Sequence, residues 1–238
     1  MFNLSATKQL KLDDGSSINY ELIKKNRRTI SLKITPKGLV VNAPILMTNY
    51  NINQLLQKKS KWIQKKLLLT IHNEAPFEIH NREIFRIFNN EIVITLRTGV
   101  NNIFIDGDRC FISFKNLSNQ LKLKKNFLIW IKKYALNYFS ERVEHFCNEN
   151  NLKVQATLIS NAKTRWGTCN SRKEIRLNWR LIQAPQYVID YVICHELSHL
   201  KFMNHSSNFW QQVQLLFPNY KEAELYLKEN GFKLYRLD

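Results

Sequence analysis

Residues 191–205 read YVICHELSHLKFMNH and contain the pattern His-Glu-x-x-His followed by a third histidine. Three of the six histidines of the chain therefore lie between His195 and His205. On an α-helix, side chains four residues apart project from nearly the same face and lie about 6 Å apart along the axis. His195 and His199 can thus bind one ion, while Glu196, rotated by about 100°, reaches water beside that ion. The pattern predicts a catalytic zinc site in which Glu196 is the general base.

The third zinc ligand is less strongly determined by the sequence. We favour His205, because its spacing of ten residues from the first histidine is that of sites with three histidine ligands. Phe202 stands where such sites have a glycine, so Asn204, which tolerates a left-handed backbone, is our candidate for the turn out of the helix. The alternative third ligand is a glutamate further along the chain, Glu222 or Glu224.

The predicted motif helix carries apolar side chains on nearly every side. They are Ile189, Ile193, Leu197 and Leu200 on the core stripe, and Val188 and Val192 on the histidine side. A helix of this kind lies at the centre of a fold, where exclusion of water strengthens the electrostatics of a metal site. We therefore expect the motif helix to be buried.

The first part of the sequence has the patterns of short strands. Alternating apolar and polar residues at 18–41 and 85–114 predict β-strands, and Asp106-Gly107 between two such runs predicts a hairpin. Between these segments, apolar residues recur at helical spacing over residues 51–70 and predict a basic amphipathic helix. Its lysine stripe consists of Lys58, Lys61 and Lys65.

Near Ser118 the pattern changes to that of longer helices. Residues 119–148 carry an apolar stripe at helical spacing, and the motif helix follows further on. The sequence therefore predicts an α+β fold with two domains. Residues 1–117 form a β-rich N-terminal region that contains the one basic amphipathic helix, and residues 118–238 form a catalytic domain around a central His-Glu-x-x-His helix.

The balance of charge is strongly positive. Lysine and arginine number 36 against 19 acidic residues, which gives a formal net charge of +17. Such a charge attracts polyanions or acidic partners, although lysine-rich solvent-exposed faces produce the same count. A nucleic acid is therefore a candidate partner. The basic residues that precede the motif and could form a binding face are Lys163, Arg165, Arg172, Lys173, Arg176 and Arg180.

Two features bear on the cellular compartment. The first residues lack the apolar segment of a signal peptide, and the sequence contains no run of 18 or more apolar residues, so we expect no membrane partner. The cysteines form no C-x-x-C pair, which suits free thiols in a reducing environment. We therefore predict a cytoplasmic protein. The cysteines are Cys110, Cys147, Cys169 and Cys194.

Several further motifs occur in order around the histidines. They are TRWGTC at residues 164–169, RLNWRLI at residues 176–182 and NHSSNFW at residues 204–210. Together with the His-Glu-x-x-His helix, they strongly resemble the YgjP-like zinc metallopeptidases, which are similar in their catalytic core to SprT and Spartan proteins. The resemblance is dense from about Arg165 to Pro218.

This resemblance implies a zincin-like catalytic domain with a protein or peptide as substrate. It implies that His195, His199 and His205 hold the zinc ion and that Glu196 is the catalytic residue. Spartan-like relatives degrade proteins that are crosslinked to DNA, an analogy that agrees with the basic chain.

The expected reaction is hydrolysis of a peptide bond by a zinc-activated water, with Glu196 as general base. Arg165 and Tyr191 are candidates for stabilising the oxyanion, and the strand predicted at residues 174–182 is a candidate for pairing with an extended substrate. One alternative is a nucleic-acid-associated SprT-like protease or a basic zinc protein that binds nucleic acid. The other is a zinc-containing interaction module without turnover, against which Glu196 argues, since a structural zinc site has no use for that carboxylate.

Overall fold

The chain divides into two structural units, Met1–Ala75 and Pro76–Asp238. The structure is a computed structural model, and it describes residues 4–12, 15–35, 38–71 and 77–238. Both units combine β-sheet with α-helices, which confirms the predicted α+β class.

The division lies well before residue 117, where the change of sequence pattern placed the domain boundary. The strands between residues 84 and 114 share one hydrophobic core with the helices that follow them. Phe85 of this sheet packs edge-on against Phe127 at 5.1 Å between ring centroids, and Ile193 of the motif helix belongs to the same cluster. The change from strands to helices near residue 117 therefore lies within one hydrophobic core and does not separate two structural units.

The first unit is a four-stranded sheet with two helices. Its elements are β1 (Leu4–Lys11), β2 (Ser17–Lys25), β3 (Ser31–Thr35), β4 (Gly38–Pro44), α1 (Asn49–Lys58) and α2 (Ser60–Ile71). The strand order is β1-β2-β4-β3, with β2 and β4 parallel and the two outer pairs antiparallel. Alternate side chains of β2 and β4 are buried and pack with Ile52, Leu56 and Ile63 of the helices.

The basic helix predicted at residues 51–70 is in fact two helices. The Thr48 hydroxyl caps α1 by accepting a hydrogen bond from the Asn51 backbone N–H at 3.2 Å. At Lys59 the backbone has φ −105° and ψ 8°, and α2 begins at the next residue. Apolar residues continue at helical spacing across this break, so periodicity alone does not detect it.

The second unit begins with another four-stranded sheet. Its strands are β5 (Ile84–Ile87), β6 (Asn90–Thr98), β7 (Asn102–Asp106) and β8 (Arg109–Phe114). The order β5-β6-β8-β7 and the strand directions repeat those of the first sheet. The hairpin predicted at Asp106-Gly107 joins β7 to β8, and Gly107 has the positive φ of +58° that favours glycine in such a turn.

The rest of the second unit is a second, smaller sheet enclosed by helices. Its elements are α3 (Gln120–Glu149), β9 (Ala156–Ser160), β10 (Gly167–Cys169), β11 (Glu174–Asn178), α4 (Gln186–Ser198), α5 (Ser207–Leu216) and α6 (Tyr220–Asn230). Two 3-10 helices follow β11 and α6, at Trp179–Gln183 and Gly231–Tyr235.

The order of this sheet is β10-β11-β9, which corrects the predicted role of residues 174–182. Strand β11 is antiparallel to β10 on one side and parallel to β9 on the other. Both of its edges are therefore occupied, and it cannot pair with a substrate. The edge strand beside α4 is β10, which sequence reasoning did not single out for this role.

Helix α4 carries the motif and is buried at the centre of the unit, as its apolar sides predict. A bidentate ion pair joins it to α3, because Arg142 Nε and one terminal nitrogen donate to the two carboxylate oxygens of Asp190 at 2.8 and 2.9 Å. Near the end of the helix, the Ser198 hydroxyl donates to the Cys194 carbonyl at 2.7 Å. The motif thus lies on a helix that is fixed along its length.

The structure also bears on the cysteines and on membrane crossing. All four cysteines are free thiols, and Cys110, Cys147 and Cys194 are buried. Among the described residues, no helix combines the length and the apolar character that crossing a membrane requires.

Candidate metal centre

Three histidine side chains converge at the end of α4. One ring nitrogen from each of His195, His199 and His205 lies within 4.8 Å of the other two. The Nε2 atoms of His195 and His205 are 3.1 Å apart. Two nitrogens that each lie ~2.05 Å from a tetrahedral zinc ion are about 3.3 Å apart, so this spacing suits a single ion of that size.

A short turn after α4 positions the second and third histidines. His199 is the residue directly after the helix, and Phe202 donates its N–H to the Ser198 carbonyl at 3.0 Å. Asn204 does not have the positive φ that we expected of it, so the chain leaves the helix without a left-handed residue there. His205 then lies just before α5.

A backbone contact determines which nitrogen of His199 is free. Its Nδ1 atom lies 3.0 Å from the Phe202 carbonyl oxygen. Because a carbonyl only accepts hydrogen bonds, Nδ1 carries the proton and Nε2 keeps its lone pair. Metal-binding histidines are commonly oriented by such a contact through the other ring nitrogen.

The environment of His195 favours its neutral form. Its pKa is lowered to about 4, mainly by burial and also by the neighbouring His199 and His205. Burial also lowers the pKa of His199. The buried Nδ1 atom of His195 has no hydrogen-bond partner among the described residues. Imidazole nitrogens suit zinc and related transition metals better than magnesium or calcium, so this set of three histidine donors fits a zinc ion.

The alternative ligands on α6 are turned to other partners. Burial raises the pKa of the Tyr191 hydroxyl, and a hydrogen bond to Glu224 raises it further, which places that carboxylate against the tyrosine. Glu222 is exposed and acts on the pKa of Tyr187, after the larger effect of burial. Among the described residues, the histidine cluster is the one group of His, Cys, Asp and Glu that could hold a metal ion. His205 belongs to this group, and neither Glu222 nor Glu224 does.

Glu196 lies beside the histidines and is almost completely buried, at 4% exposure. Burial raises the pKa of its carboxyl group to about 8, and a hydrogen bond from the backbone N–H of Cys169 acts in the opposite direction. Cys169 belongs to β10, so the edge strand of the small sheet contacts the predicted general base. The TRWGTC motif contains this strand, but the sequence did not show what the motif contacts.

A cavity of about 510 Å³ opens over the cluster. The three histidines and Glu196 line it, together with Arg165 and Tyr191, the two residues predicted to stabilise an oxyanion. Its apolar wall consists mainly of Trp166, Val192, Met203 and Leu227. The cavity is large enough for several atoms of a substrate chain on either side of a reacting bond.

The predicted basic face is smaller in the structure than in the sequence. Arg180 is buried between the rings of Trp179 and Tyr235, and its Nε donates to the Asp238 carboxylate at 2.7 Å. Arg176 pairs with a neighbouring glutamate at 3.3 Å. Arg180 is therefore a structural residue, and Arg176 is partly neutralised.

Comparisons with known proteins assign the chain to a class of enzyme. The chain matches the family described as YgjP-like, metallopeptidase domain, over residues 28–230. No curated protein matches it.

Two solved structures are similar to part of the chain. The metallopeptidase zymogen abylysin of Pyrococcus abyssi is 23% identical, with a TM-score of 0.36 over 39% of this chain and 95% of the other. The metallopeptidase zymogen jannalysin of Methanocaldococcus jannaschii is 21% identical, with a TM-score of 0.33 over 38% of this chain and 94% of the other.

Proposed function

The chain belongs to the YgjP-like metallopeptidase family, and on that premise we propose that it is a zinc-dependent peptidase with its metal held by His195, His199 and His205. The observation that carries the proposal is the convergence of three imidazoles and one buried carboxylate, Glu196, on a single cavity. A zinc ion, when bound, supplies a Lewis acid that polarises carbonyl groups and acidifies water.

Glu196 transfers the proton in the proposed reaction. Its carboxylate form, which a nearby dication favours, accepts a proton from the attacking water. Its acid form then returns that proton to the leaving amine. Without a metal ion, burial raises the pKa of this carboxyl group to about 8, and a bound dication would lower it toward the working pH.

Arg165 is the better of the two candidates for stabilising the oxyanion. Tyr191 also lines the cavity, but its hydroxyl already donates a hydrogen bond to Glu224. An arginine guanidinium group is cationic and can donate several hydrogen bonds. We propose that Arg165, together with the metal site, would stabilise the negative charge that develops on the substrate oxygen.

The substrate segment is extended and pairs with β10. Among the described residues, one edge of this strand pairs with no other strand, whereas both edges of β11 are paired. Addition of a peptide strand to an exposed edge satisfies its backbone groups without requiring a defined side-chain sequence. Because β10 also contacts Glu196, a peptide bound along it runs past the general base.

Metal analysis and substrate profiling test this proposal together. We expect about one zinc ion per chain by elemental analysis. Proteome-derived peptides should be cleaved by the wild type and left intact by Glu196→Gln. A metal-free protein, or equal cleavage by the two proteins, would contradict the proposal.

Nucleic-acid binding is a second candidate function, favoured by the distribution of charge. The sequence between Glu21 and Glu74 contains lysines and arginines but no acidic residue. A surface of this kind attracts phosphate backbones in a salt-dependent way. Binding of duplex DNA or RNA that weakens steeply with salt supports this candidate, and no binding at low salt removes it.

A further inference from the structure

Gly167 lies so close to Glu196 that a side chain at position 167 would fit only if the Glu196 side chain moved. A Cβ atom on Gly167 would lie 2.7 Å from the Cγ and 2.8 Å from the Cδ atom of Glu196, and it would also collide with Oε1. Contacts of this length are essentially never formed by real Cβ atoms. The carboxylate therefore occupies the space that a side chain at position 167 would fill.

The backbone at Gly167 does not itself require glycine. Gly167 does not have the positive φ that favours glycine, in contrast to Gly107. It lies in regular antiparallel pairing with Leu177 on β11. Any residue can adopt this conformation, so the reason for glycine at this position is the proximity of Glu196.

The strand that presents Gly167 is held by its sheet partner and by the ring of an adjoining residue. Pairing with β11 fixes its backbone, and the adjoining Trp166 ring packs on Tyr235 with 5.6 Å between ring centroids. Two residues after Gly167, the Cys169 backbone N–H donates to the Glu196 carboxylate. The strand thus provides a hydrogen bond and an empty volume to the same carboxylate.

We propose that Gly167 is a positioning residue, which lets the Glu196 carboxylate lie against β10 in the orientation that proton transfer needs. This inference rests on the proposed function, because it assumes that Glu196 is the general base. An alanine at position 167 does not change Glu196 itself. It displaces the Glu196 carboxylate from the Cys169 N–H and from the water that the carboxylate must deprotonate.

The kinetic test uses Gly167→Ala in the full chain. A displacement of about 1 Å at a catalytic group can lower the rate by about 100-fold, so we expect a loss of that size in kcat with little change in KM. Zinc content should stay at the wild-type level, since the three atoms nearest to an added Cβ all belong to Glu196 and none to a histidine. The matched control is Gly99→Ala, because an added Cβ there meets no atom within 4 Å and the backbone has no positive φ.

A double-mutant cycle on thermal stability tests the same contact without an activity assay. Gly167→Ala should lower Tm by several degrees in the wild type, because the added methyl group collides with the Glu196 side chain. In a Glu196→Ala background the collision partner is missing, so the same substitution should leave Tm unchanged. Circular dichroism of each variant checks that it is folded.

The outcomes separate this inference from the proposed function. Wild-type kcat in Gly167→Ala, or an equal loss of Tm in both backgrounds, overturns the role of Gly167 while leaving the peptidase proposal intact. If the wild type cleaves no peptide, the peptidase proposal fails, and the Tm cycle still decides whether Gly167 makes the space for Glu196.

Discussion

The histidine side and the glutamate side of the site are built in different ways. His195, His199 and His205 lie within eleven consecutive residues, and His199 is oriented by a contact close in sequence, the Phe202 carbonyl. Glu196 lies on α4, but its carboxylate accepts a hydrogen bond from the Cys169 backbone and occupies the space beside Gly167, both on a separate strand. If the proposed function is correct, metal affinity and turnover will depend on different parts of the molecule and will be separable by mutation.

Loss of His199, the residue directly after α4, should have the largest effect, because it removes the metal and the activity together. We expect His199→Ala to purify without stoichiometric zinc and to show no peptidase activity, since a catalytic zinc site needs three protein ligands. Elemental analysis and a peptide assay measure the two losses. His145→Ala, an exposed histidine on α3, is the control and should match the wild type. Zinc retained in full by His199→Ala would remove this residue from the ligand set.

Glu196→Gln should separate metal binding from turnover. We expect full zinc content and a loss of about 10²–10⁴-fold in kcat. The amide keeps the size of the side chain but cannot accept the proton of the attacking water. Steady-state kinetics on the zinc-loaded protein give the ratio. Glu229→Gln, an exposed change on α6, should leave kcat unaltered. Equal kcat in Glu196→Gln and the wild type would contradict the general-base role.

Substitution of His205 tests whether this residue, and not a glutamate on α6, is the third zinc ligand. A direct ligand contributes more than the 10–100-fold typical of groups around the ligands, so His205→Ala should weaken zinc binding by more than about 100-fold. Glu222→Ala and Glu224→Ala should leave the affinity unchanged. Competition with a chelator measures all three values. If a glutamate variant loses zinc and His205→Ala retains it, the third ligand is on α6.

Asp190→Asn should have the smallest effect on the site, because Asp190 joins α4 to α3 and its loss lowers the stability of the fold. Removing one partner of a buried ion pair costs about 3–5 kcal/mol, and partial exposure of this pair, with Arg142 22% and Asp190 11% exposed, reduces the expected loss to about 1–3 kcal/mol. Urea denaturation of the metal-free protein measures the loss in the free energy of unfolding. Zinc content and kcat below the transition should stay at the wild-type level, and Glu141→Gln on the exposed side of α3 is the control.

Local spacing in the sequence was enough to predict the histidine side of the site. The offset of four residues between His195 and His199 has a fixed meaning on a helix, and the apolar residues around the motif correctly indicate its burial. That these residues bind zinc stays a prediction until a metal is measured. The resemblance to the YgjP-like family, drawn from motifs spread over the chain, is confirmed by the match over residues 28–230.

The glutamate side could not be predicted in this way, because it depends on which strands become neighbours. Residues 174–178 alternate cleanly and form a strand, but alternation does not show whether a strand is central or at an edge. The contact of Gly167 with Glu196 likewise follows from the placement of β10 against α4. The unit boundary lies near Ala75 for a related reason, since a shared core is a property of tertiary packing and not of periodicity.

The position of His205 also has a consequence for amide hydrogen exchange. His195 lies on a buried helix whose amides are protected by packing, whereas Met203, Asn204 and His205 are exposed. Slow exchange reports stable burial, so α4 should exchange slowly with or without metal. Added zinc should instead slow exchange in the segment from Phe202 to Ser206. The measured zinc affinity will then include the conformational entropy lost when that segment is fixed.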